Sequence, residues 1–114
     1  MLTVDAMKAF GADTETALTR CAGSEALYLR LVGKVPDSED FDKLEAAVKA
    51  KDYDAAFNLA HGLKGILLNL SITPIADPVS EMTELLRSRK DMDYSPYIQK
   101  MQAERKKLTE LCKS

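Results

Sequence analysis

Apolar residues along this chain recur every three or four positions, and no segment alternates convincingly at a period of two. The pattern predicts a succession of helices with short breaks. A first helix is expected over residues 3 to 10, ending at Gly11. A second covers TETALTRC, capped by Asp13 or Thr14 and stopping near Gly23. Ser24 suits an N-cap for EALYLRLV, a helix that Gly33 and Pro36 weaken and end. Asp37 or Ser38 opens the next, with Phe41, Leu44, Ala47 and Val48 at helical spacing. Asp52 caps a long segment from Tyr53 to about Leu70. The following helix begins at Thr73-Pro74 or at Asp77-Pro78, both cap-then-proline pairs. Pro78 inside a helix begun at Pro74 would kink it. Ser95-Pro96 opens the last helix, with Tyr97, Met101, Leu108 and Leu111 as its stripe. The expected fold is all-α, an antiparallel up-down four-helix bundle over about 24–113. Additional short N-terminal helices precede it over about 3–22, and residues 1–114 form one domain.

Composition narrows the function classes. Of the 114 residues 46% are hydrophobic and 30% charged, and 16 basic against 18 acidic residues give a net charge of -2. No basic block favours nucleic acid or an anionic membrane, and no apolar run approaches bilayer length. The start, MLTVDAMKAF, lacks the charged and apolar regions of a signal peptide, so a cytoplasmic protein is expected. Cys21 and Cys112 form no metal-ligand spacing and are expected to be reduced thiols.

The only histidine, His61, lies in AHGLKGILLNL, residues 60 to 70. Projecting that helix at about 100° per residue from Leu63 places Ala56, Leu59, Ala60, Ile66, Leu67 and Leu70 within roughly 60°, the expected buried stripe. His61 falls at roughly 160°, Gly65 at roughly 200° and Lys64 at roughly 100°. The imidazole is therefore expected to look outward. Phe57 and Leu68 fall at roughly 120° and 140°, and two large apolar residues beside a histidine suggest a face that another protein covers. Gly62 and Gly65 each cost about 1 kcal/mol relative to alanine inside a helix, which suits a surface where something must come close. A neutral imidazole offers a nitrogen nucleophile, and Lys64 one turn on can stabilise a dianionic group placed there. No carboxylate of this segment is placed to act as a base or to hold magnesium, since Asp52 and Asp54 lie two turns or more back. The pattern is half of a reaction centre whose metal and acid come from a partner.

These residues resemble the signature of histidine-containing phosphotransfer (HPt) domains: His, any residue, an aliphatic, Lys, Gly, here His61, Gly62, Leu63, Lys64 and Gly65. The resemblance extends over Gly11 to Tyr28 and over Asn69 to Arg87, about two-thirds of the chain together. It implies a carrier without a kinase site of its own. His61 would accept a phosphoryl group from a receiver-domain aspartyl phosphate and pass it to another receiver. Lys64 would supply charge stabilisation and Gly65 docking clearance. Phe57, Asn58, Gly62, Leu68 and, on the next helix, Thr83 would form the partner-binding face. The implied partners are response-regulator receiver domains and a hybrid histidine kinase, with magnesium on the receiver, no intrinsic cofactor or metal, no nucleic acid or membrane, and a monomeric chain. The sequence departs from the family pattern at Leu68, often a small residue, at Ser71, usually glycine in a left-handed turn, and at Pro78. Two alternatives remain: an HPt-like adaptor that docks without transferring phosphate, and an unrelated enzymatic or metal-binding bundle, which one His and two isolated Cys disfavour.

Overall fold

The computed structural model describes residues 2–113, so the expected domain limits at 1 and 114 fall outside the described residues. The described chain is all-helical. In order it forms α1 (Val4–Phe10), α2 (Thr14–Arg20), α3 (Glu25–Lys34), a 3-10 turn (Val35–Asp37), α4 (Asp40–Lys49), α5 (Tyr53–Asn69), α6 (Thr73–Arg87) and α7 (Ser95–Lys113). Short connections between α4, α5, α6 and α7 force antiparallel neighbours, the up-down bundle.

Local chemistry sets most of these boundaries. The side chains of Thr3, Asp13, Ser24 and Asp52 each accept a hydrogen bond from the backbone N–H three residues on, satisfying donors that the first turn leaves unpaired. Gly11 closes α1 at φ 118°, and a Cβ there would stand 3.0 Å from Pro74 Cγ, at the start of α6. Two openings differ from expectation. Ser38 and Asp37 do not begin α4; the helix starts at Asp40, with Ser38 Oγ accepting from the Asp40 N–H. Thr73 is the first helical residue of α6 and not its cap, a place taken by Ile72. Of the two possible starts the chain takes the earlier, and α6 runs through Pro78, which is buried in its second turn.

One hydrophobic cluster joins the front helices to the bundle: Met7, Ala17, Tyr28, Phe41, Leu44, Ala60, Leu67, Met82 and Met101 are among its members. On α5 the buried residues are Ala56, Ala60, Leu63 and Leu67, spaced three and four apart. Ile66 departs from the expected stripe. It is 50% exposed, because it sits at the stripe's edge on the rim of a groove lined by Leu31, Val35 and Phe41. Cys21 and Cys112 are free thiols.

Polar contacts close the remaining side of the bundle. Arg105 on α7 donates to Pro36 O, to Ser38 O and to Asp42, and its guanidinium lies 4.9 Å from the Phe41 ring centroid. Gln102 donates to Asp42 and Glu45 on α4, and hydrogen bonds from Gln102 and Arg105 hold the Asp42 carboxyl below its ordinary value.

The α5–α6 turn is where the front helices grip the bundle. Arg20 Nη1 donates to Leu68 O at 2.7 Å, Asn69 O at 3.1 Å and Ser71 Oγ at 3.1 Å. The Asp13 N–H donates to Ser71 O at 3.0 Å. Ser71 itself has φ 54°, so it makes the left-handed turn usually given to glycine. An L-residue pays roughly 1–2 kcal/mol for that conformation, and these hydrogen bonds hold it there.

Candidate functional site

The outward face of α5 carries His61, Gly62, Gly65, Asn58 and Leu68, all exposed, with Phe57 and Lys64 half-buried at its edge. The helical period produces this directly, since the same rotation that buries Leu63 turns His61 to solvent. Among the described residues no hydrogen bond or ion pair reaches the imidazole or the Lys64 ammonium. The ring contact is with Phe57, four residues back: the two rings stack with centroids 5.7 Å apart and planes at 19°. A Cβ added at Gly62 or at Gly65 would meet nothing within 4 Å. Close packing of a neighbouring helix therefore does not account for either glycine.

The end of α6 and the turn after it bring charge to this face. Arg87 lies 5.3 Å and Arg89 4.7 Å from the Phe57 ring centroid. Arg89 pairs with Asp54 on α5 at 2.6 Å, and Arg87 with Glu84 at 3.0 Å. Hydrogen bonding from Arg87 lowers the Glu84 carboxyl from its ordinary value, and the charges of Lys64 and His61 add to that effect.

Thr83 requires a correction. Counting across the α5–α6 turn puts it level with His61, but it is fully buried and its hydroxyl donates to Val79 O at 2.7 Å. A rotation of about 100° per residue separates it from Glu84, which is exposed. The sequence reading missed Glu84, Arg87 and Arg89 together. Their place beside α5 depends on the rotation of α6, which a single chain's spacing does not fix.

The arrangement offers an imidazole and, one turn away, an ammonium, neither hydrogen-bonded nor ion-paired among the described residues, with two arginines near by. Exposed Leu68 adds apolar area C-terminal to the histidine. Such a face suits an incoming dianionic electrophile carried by another protein. No group of three or more His, Cys, Asp or Glu residues that could hold a metal occurs among the described residues, and no described helix is long and apolar enough to cross a membrane.

Searches among curated proteins and among solved structures return no match. A family model described as Hpt domain matches residues 38–112, a span that includes α4 to α6, α7 up to Cys112 and the whole face just described. The stretch Gly11 to Tyr28 lies outside the matched span.

Proposed function

The chain belongs to the Hpt domain family, whose members are phosphocarrier modules of two-component phosphorelays and interact with receiver domains; from that premise we propose that His61 is the phosphoryl acceptor. The reading rests above all on the exposed, unbonded imidazole on a helix face where both neighbouring glycines border open space.

The transfer then runs as follows. A receiver domain docks on the outward face of α5 and presents its aspartyl phosphate. The lone pair of the unprotonated His61 nitrogen forms the N–P bond. The P–O bond to the aspartyl group breaks, and its electron pair leaves with the carboxylate. The proton on the other ring nitrogen stays on the imidazole or exchanges with water. Lys64 sits one helical turn from the acceptor and offsets the dianionic charge delivered to it. Gly62 and Gly65 let the receiver's backbone approach, while Asn58 and Leu68 extend the contact surface. Magnesium, which orients and neutralises the acyl phosphate, is assigned to the receiver. Reversal of the same steps against a second receiver discharges the carrier.

Incubation with a phosphorylated receiver domain and magnesium tests this directly. Wild type should acquire acid-labile, base-stable label, and His61→Gln should acquire none while still binding the receiver. Equal labelling of both proteins would overturn the assignment. Labelling of neither, with docking intact, would make the chain an adaptor.

A further inference from the structure

Phe57 counts above as one apolar residue at the edge of a docking face, but its contacts give it a more specific place. Its ring stacks on the His61 imidazole at 5.7 Å and 19°, within the range of offset aromatic pairs. The same ring carries the guanidinium groups of Arg89 at 4.7 Å and Arg87 at 5.3 Å. Each arginine is held in turn. Arg89 donates to Asp54 and to Leu86 O, and Arg87 to Glu84. The chain of contacts thus runs from ion pairs on α5 and α6, through a clamped phenyl ring, to the imidazole.

An exposed imidazole with no hydrogen bond samples several rotamers, and only some aim a nitrogen at an incoming phosphorus. Restricting the ring before the encounter removes orientational freedom that would otherwise be lost in the transition state. A flat ring one turn below, fixed from the α6 side, imposes that restriction, which an aliphatic side chain of similar bulk does not.

We propose that Phe57 is a positioning residue for phosphoryl acceptance, its ring pinned by Arg87 and Arg89 so that it sets the plane of the His61 imidazole. The proposal rests on His61 being the acceptor. It differs from a docking role in one respect: the aromatic ring is required, not merely apolar area.

Phe57→Leu keeps the apolar bulk and removes the ring, whereas Phe57→Tyr keeps the ring. The single histidine gives one Hε1 and one Hδ2 signal in proton NMR of the intact chain. In wild type and Phe57→Tyr both signals should show nuclear Overhauser contacts to the residue 57 ring. In Phe57→Leu both should shift as the ring current is lost. With a receiver domain charged by acetyl phosphate and magnesium, Phe57→Leu should slow transfer roughly tenfold even at saturating receiver, and Phe57→Tyr should restore it. If Phe57→Leu does not fold by circular dichroism, the Arg87→Gln/Arg89→Gln double variant replaces it and should move the same signals and slow the same step. Transfer by the ring-free variant at the wild-type rate, or a loss explained wholly by weaker binding, overturns the proposal and leaves the acceptor assignment standing. Absence of label on wild type overturns both.

Discussion

At Gly65 an added methyl group would enter open space, so Gly65→Ala should behave as a plain helix-interior substitution. It should raise stability by about 1 kcal/mol in urea unfolding. A larger residue such as Gly65→Met should leave folding intact yet weaken receiver binding, measured by titration calorimetry. Loss of stability in the alanine variant would instead point to an internal role for the glycine. At this scale the sequence was informative. Rotation about one helix axis is enough to turn His61 and Leu68 outward and Leu63 inward. It misplaced Ile66, because the stripe's edge is decided by what stands opposite. There α3 and the 3-10 turn leave a groove where the projection assumes cover.

Among the elements, α5 depends on a side chain far from it in sequence. Arg20 satisfies carbonyls at the end of α5 and supports the left-handed Ser71. Arg20→Met should therefore cost about 1–2 kcal/mol in chemical unfolding, as charged hydrogen bonds to the Leu68 and Asn69 carbonyls and to Ser71 Oγ are lost. Ser71→Gly in that background should recover part of the loss by relieving the φ 54° conformation. The caps at Ser24 and Asp52, and Asp13 as one of two candidates, were legible because they act within four residues. The Arg20 contacts were not, since they join residues 48 to 51 positions apart. The departure at Ser71 had put the turn in question, and the answer lay in α2.

For the whole molecule, one buried group predicts a response to alkali. The Tyr28 side chain is fully buried, its hydroxyl has no hydrogen-bond partner among the described residues, and burial pushes its pKa up from 10.0 to about 12. Its contribution to stability is fully present below pH 10, where the unfolded phenol is still protonated, and is lost as pH rises towards about 12. The melting temperature should fall across that window. Tyr28→Phe should flatten the fall and raise stability at neutral pH by about 1 kcal/mol, because an unpaired buried hydroxyl is removed. The bundle order was readable from periodicity, but the face shared by α5 and α6 was not. Thr83 and Glu84 are adjacent in sequence and stand on opposite sides of the core boundary, a distinction set by packing.

The grip of α2 on the far end of α5 works in both directions. Anything that prefers the front helices released from the bundle must loosen the last turn of α5 by the same free energy, and anything that orders that turn must draw the front helices down. The released carbonyls lie about 12 Å along the helix from His61. Asp13 and Arg20, although they precede the matched family span, thus form a handle by which an outside event is felt at the helix that carries His61.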